Sequence, residues 1–236
     1  MPAVLPKCDA RFVPEFAAGA DLPPLVQILN GEAPGSREPV RPVVEPGTTF
    51  RYSGGGYIVL QILMTDVAGR PFAPLARTLV LEPAGMSGST FEQPLPQELR
   101  SRAAVGHYGD GTPLKGSWHT LPEQAAGGLW TTPTDLASFM AELWRSYHGK
   151  SQTLLPQHLA RQMLTRQIDG FGLGISLPSE GVFRFQHGGA NAGYRCHLVL
   201  SIVTGDGVVI MTNGDSGEKL INEVFEAIAL AYGWEV

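Results

Sequence analysis

Apolar side chains recur along this chain in two rhythms, and the change between them divides it. As far as about residue 165 the spacing is three and four, the period of a helix with one buried face. Leu22, Leu25, Val26 and Leu29 fall at that interval, and Gly31 stops the run. Leu60, Leu63, Met64 and Val67 form one stripe of a helix over 57–68, closed by Gly69 and Pro71, and this stripe is expected to be buried. Phe72, Leu75, Ala76, Leu79 and Val80 give a second inward face before Pro83. Thr132, Pro133 and Asp135 read as an N-cap, a first-turn proline and an acidic first turn, so a further helix starts there.

Beyond residue 170 the pattern changes to alternation and short apolar runs bounded by turns, which predicts strands over 170–178, 182–186, 194–203 and 208–212. Thr204-Gly205-Asp206-Gly207 supplies a hairpin turn between the last two. A helix over 219–232 closes the chain, with either Leu220, Val224, Ile228 and Tyr232 or Ile221, Phe225 and Ala229 toward the sheet. The expected organisation is one structural unit: an irregular segment over 1–21, a mainly helical region over 22–165, and an antiparallel meander with its helix over 166–236. Residues 93–124, rich in proline, glycine and polar side chains, are expected as loops over a cleft.

Composition narrows the class. The 236 residues are 43% hydrophobic and 17% charged, ample for a packed core and without the apolar deficit of a disordered chain. A net charge of -5 with no cluster of Lys and Arg lacks the footprint that binding a phosphate backbone requires, so nucleic acid is not expected as a partner. No apolar run approaches a bilayer span, and residues 1–7 lack the basic start and apolar middle of a signal peptide; the expectation is a cytoplasmic chain without a membrane partner. Cys8 and Cys196 read as two free thiols. With the six histidines scattered, neither a metal nor a cofactor is expected.

Candidate chemistry gathers at two places. The first is Pro46-Gly47-Thr48-Thr49-Phe50-Arg51-Tyr52-Ser53-Gly54-Gly55-Gly56-Tyr57, a turn and a short extended run that end in three glycines, where a backbone can come close to a ligand. The second is Gln186-His187-Gly188-Gly189-Ala190-Asn191-Ala192-Gly193-Tyr194, between the second and third expected strands. The first resembles the second motif of the class C β-lactamase-related serine hydrolases, a family that includes penicillin-binding proteins and carboxylesterases. The second resembles that family's third motif, Lys-Thr-Gly or His-x-Gly at a strand edge. Leu81-Glu82-Pro83-Ala84-Gly85-Met86 is similar to its Pro-Leu-Gly-Met turn, and Gly127-Gly128-Leu129 to a segment bordering the active site.

The resemblance covers roughly residues 12–236 and implies an α+β fold of the class C β-lactamase type, with a helical region beside a terminal antiparallel sheet. It implies acyl transfer, in which a serine attacks an ester or amide carbonyl. Tyr52 would move the proton and His187 would stand beside the substrate. Ser53, Gly54, Gly188, Gly189 and Ala190 would line the pocket, with the Ala190 N–H as an oxyanion donor. The implied substrate is a short-chain ester, a β-lactam or a D-amino-acid peptide. Tyr52-Ser53-Gly54 keeps the family's tyrosine and lacks its asparagine, which favours esters.

The family's nucleophile lies in a Ser-x-x-Lys motif well before the tyrosine. Residues 1–50 contain no such motif, since Ser36 is their one serine and Lys7 precedes it. The chain therefore reads as a member lacking its N-terminal segment, with weak activity or none. A pseudoenzyme that keeps the pocket walls is the alternative. The Ser-x-x-Lys at Ser216–Lys219 opens the last helix, where Ser216 or Asp215 serves as an N-cap. Missing cover over the apolar sheet also leads to an expectation of self-association.

Overall fold

The structure, a computed structural model, describes residues 16–35, 38–45, 47–178 and 183–234. Cys8, Ser36, Pro46 and Val182 of the sequence reading lie outside the described residues. Two short strands, β1 (Phe16–Ala17) and β2 (His119–Thr120), pair with each other, and α1 (Leu25–Leu29) follows β1. The helical region continues with α2 (Gly54–Ala68), α3 (Phe72–Ala76), α4 (Gln124–Gly127), α5 (Pro133–Tyr147) and α6 (Gln157–Met163). The chain ends in the antiparallel sheet β3 (Arg184–Asn191), β4 (Tyr194–Ser201), β5 (Gly207–Thr212) and the helix α7 (Gly217–Tyr232). This is an α+β fold with a terminal meander backed by the last helix.

Directly opposed residues of an antiparallel pair share a face, and neighbours along a strand alternate. Phe185 of β3 faces Leu200 of β4. Both pack with Met140 and Leu143 of α5 and Ala160 of α6 in the largest core. Phe185 is fully buried, and truncating it to alanine is expected to cost about 3–5 kcal/mol. The other face belongs to α7, where His197 of β4 meets the Phe225 ring edge-on and Ile221 and Ala229 are buried. Of the two faces open for that helix, the one through Ile221, Phe225 and Ala229 therefore meets the sheet; Leu220 and Tyr232 are exposed.

The cap at α5 forms as expected: the Thr132 hydroxyl accepts the Asp135 N–H at 3.1 Å. Asp135 then accepts from the Gly88 N–H at 2.8 Å and the Ser89 hydroxyl at 2.6 Å, which ties α5 to the turn after Met86.

Expectations for four segments are corrected. No strand forms over 170–178: Gly170 and Gly174 take φ of +76° and +78°, and the segment folds on itself, reaching the sheet through the single pair Ser176–Gln186. The strand expected to stop at residue 186 runs on to Asn191, because the small residues after His187 continue the ladder to β4. The helix expected from Tyr57 begins at Gly54. Its stripe of Leu60, Leu63, Met64 and Val67 is exposed; Gly55, Ile58 and Gln61 face inward instead. In the next segment Phe72, Leu75 and Ala76 are buried but Leu79 is exposed, as α3 gives way to a wider helical turn over Arg77–Leu81 that rotates the face.

Candidate active site

Ser53 is extended, at φ -145° and ψ 108°, and its hydroxyl accepts the Gly56 N–H at 3.0 Å. This N-cap starts α2 at Gly54 and so leaves the phenol two residues before the helix. Ser53 is thus a capping residue, and Gly54 is the first residue of the helical turn. Gly55 has a packing reason: a β-carbon there would stand 2.7 Å from both methyls of Val40.

The Tyr52 ring lies 6.5 Å, centroid to centroid, from His187 in the middle of β3, so the two residues singled out from separate motifs face each other. Burial holds His187 below the ordinary histidine value of 6.5, partly offset by a backbone hydrogen bond at Gly188. The imidazole is therefore neutral at pH 7.

The backbone of β3 explains what the small residues after His187 can do. Gln186 exchanges both backbone bonds with Ser176, at 3.0 and 2.9 Å, on the side away from β4. Alternation along the strand then turns the backbone N–H groups of Gly188 and Ala190 to that same outer edge, while His187 and Gly189 face β4 with theirs. Gly189 has a steric reason as well, since a β-carbon on it would meet the Cys196 sulfur at 2.5 Å. Burial pushes the Cys196 thiol up, which keeps it protonated.

Residues that the motif reading passed over build the surrounding walls. Phe50 stacks on Phe171 at 3.8 Å with ring planes 12° apart, joining the extended run before Tyr52 to the loop that replaces the expected strand. Asn191 closes β3 by donating its Nδ2–H to the Gly127 carbonyl at 2.9 Å, which brings the Gly127-Gly128-Leu129 segment to the end of the strand. Gln61, buried on α2, donates to the Pro122 carbonyl at 3.2 Å and accepts the Ala125 N–H at 2.9 Å. Buried amides that satisfy backbone groups on another element fix its position. Their signal in sequence is weak; a glutamine amid the apolar residues of a helix is the trace Gln61 leaves.

Ser216 and Lys219 do not belong to this arrangement. Both are exposed at the start of α7, on the sheet face opposite His187. Ser216 occupies the N-cap position, one of the two expected for it, but its side chain makes no capping bond. Asp215 serves instead as the joint between α7 and the hairpin, accepting the Gly193 N–H at 2.8 Å and pairing with Arg195 at 3.0 Å.

A tyrosine at the head of a helix, a His-Gly-Gly strand and a meander backed by the terminal helix agree with what comparison finds over nearly the whole chain: the beta-lactamase family model matches residues 16–233. The chain belongs to the beta-lactamase family. A human beta-lactamase-like protein is 30% identical over 126 residues, which are 52% of this chain and 23% of that protein. Among solved structures, a penicillin-binding protein from Bacillus halodurans superposes with a TM-score of 0.64 at 23% identity over 78% of this chain and 58% of its own. The octameric penicillin-binding protein homologue from Pyrococcus abyssi gives 0.65 at 22%, covering 82% and 45%. D-amino acid amidase from Ochrobactrum anthropi SV3, complexed with L-phenylalanine amide, gives 0.62 at 22%, covering 80% and 60%. These likenesses show the fold, and the chain spans roughly half the length of the structures it matches. No helix among the described residues is long and apolar enough to cross a membrane.

Proposed function

We propose that the cleft between Tyr52 and His187 binds a small acyl compound, in the manner of a serine hydrolase's acyl site, and that this chain alone turns it over weakly or not at all. The observation that carries the reading is the 6.5 Å approach of the two rings beside an outer strand edge. In the proposed arrangement the substrate carbonyl lies along that edge and its oxygen accepts the Ala190 N–H, where negative charge would develop during attack. The Tyr52 phenol stands where a proton would be moved. Neutral His187, with one ring nitrogen engaged at the Gly188 backbone, offers the other beside the acyl group without placing a fixed charge there.

A short-chain ester is the favoured class, because the residue two after Tyr52 is Gly54 and brings no side-chain amide to a β-lactam carbonyl. A D-amino-acid peptide or amide is the second class; one structural relative is an amidase of that kind. The low turnover follows from the position of Ser216 and Lys219, on the wrong face of the sheet to attack anything held by Tyr52. Binding without turnover makes the same cleft that of a pseudoenzyme. Hydrolysis of p-nitrophenyl butyrate and nitrocefin is expected at background for the purified chain, while a non-hydrolysable ketone analogue of the butyrate ester perturbs the NMR signals of the Gly188 and Ala190 amides. Loss of those perturbations in Tyr52→Phe and His187→Ala supports the shared site. Robust turnover that disappears in Ser216→Ala sinks the assignment of the cleft and the dismissal of that serine together.

A further inference from the structure

A second concavity lies apart from the Tyr52–His187 cleft, beside the small sheet of β1 and β2. It has a volume of about 290 Å³, and its walls include Pro94, Leu95, Arg100, Trp118 and Thr120. None of these takes part in the proposed acyl site. The volume is close to the lower end of what small-ligand sites hold, enough for a molecule of about ten heavy atoms.

The side chains of the wall select a chemical class. Arg100 donates its Nε–H to the Leu95 carbonyl at 3.1 Å, which fixes the plane of the guanidinium. Its two terminal amino groups have no partner among the described residues, although arginine at a concave site is normally paired with a carboxylate. Thr120 is 2% exposed and its hydroxyl is buried without a hydrogen-bond partner. Trp118, half-buried, contributes an indole, and Leu95 and Pro94 add apolar surface.

From an oriented, unpaired guanidinium, an indole and flanking apolar side chains around one cavity, we infer that this is a binding site for a small monocarboxylate with a flat apolar body. The carboxylate takes the two free edges of Arg100, and the apolar body lies against Trp118. The site has a built-in reporter. Trp118 meets Trp130 edge-on at 5.7 Å, and Trp130 meets Tyr194 at 6.0 Å, so a ligand on Trp118 alters the emission of a coupled aromatic row. Tyr194 anchors the start of β4, its hydroxyl donating to the Ala104 carbonyl at 2.7 Å, so the row ends where β4 begins.

The test is a titration of the full chain with 3-phenylpropionate, followed by tryptophan emission and by calorimetry. Saturable one-to-one binding with a dissociation constant on the order of millimolar or below is expected. The neutral amide of the same acid is expected to bind about tenfold more weakly, as is the acid to Arg100→Met, while Arg100→Lys falls between. Arg100 is exposed, so these variants are expected to melt with the parent chain. Tyr52→Phe is expected to bind the acid unchanged, which separates this site from the acyl cleft. Absence of saturable binding, equal affinity for acid and amide, an unchanged affinity in Arg100→Met, or loss of binding in Tyr52→Phe each overturns the proposal.

Discussion

Single residues in the sheet decide whether β3 can lie beside β4 with His187 in place. Gly189→Ala drives a methyl into the Cys196 sulfur, which stands 2.5 Å from where that carbon would sit. The expected cost is about 1–3 kcal/mol. Because the obstacle is one side chain, Cys196→Ala in the same molecule should return most of it, and additive losses in chemical denaturation would sink the explanation. His197 gives a pH test. Its Nδ1 is buried with no partner, and both burial and the neighbouring charge of His187 hold it below 6.5, as burial holds His187. A histidine with a lowered folded-state value binds its proton more readily when unfolded. Stability is therefore complete above 6.5, starts to fall as pH drops through that ordinary value, and stops falling once the lower folded-state values are passed. His197→Leu keeps a packed contact with Phe225 and removes one of the two groups. Urea midpoints collected from pH 8 to pH 5 should fall less steeply for that variant, and an unchanged slope would assign the acid sensitivity to other groups.

Elements were legible where one residue type has one local use. Thr132, Pro133 and Asp135 announced α5 correctly because capping is decided within four residues. The hairpin and the last helix were equally plain in the alternation and its stop. Ser53 was harder. It was read as a pocket residue beside Tyr52, yet its hydroxyl caps α2, and the three glycines are the helix's first turn, fitted against Val40 and the cap. Ser53→Ala is expected to lower stability by about 1 kcal/mol, with ligand perturbations of the Ala190 amide retained. A variant of full stability that no longer binds would restore the pocket role. The segment over 170–178 misled because its apolar residues alternate, whereas glycines at positive φ let it fold back on itself. Periodicity reports side chains, and there the backbone decided. The approach of Tyr52 and His187 came from motif order, since no local pattern relates residues that meet only through the tertiary fold.

At the scale of the whole molecule, α2 poses the largest question of packing. It is apolar around nearly its whole circumference, a character that belongs to a helix covered on all sides. Only one side is covered: Ile58 packs with Ile28 and Ala33, and Gln61 holds the segment before α4. On the other side Leu60 is 47% exposed, Leu63 54% and Val67 80%, with Leu79 of the following turn exposed as well. Soluble monomers seldom leave a contiguous apolar patch above a few hundred Å² open to water. β5, Gly207–Thr212, has no partner on its outer edge among the described residues and carries no charged residue. Self-association is therefore expected, and the two surfaces make different predictions about it. If α2 drives association, Leu63→Glu with Val67→Lys should shift light-scattering mass toward the monomer across a dilution series and reduce the binding of a hydrophobic dye. Both positions are exposed, so the fold should be retained, checked by melting. If the β5 edge drives it, the same pair should leave the mass unchanged, whereas Met211→Pro, at a position whose N–H points away from β4, should lower it. A parent chain that stays monomeric at high concentration and binds no dye would show that the outer face of α2 is covered within the molecule, and the argument from exposure would fail.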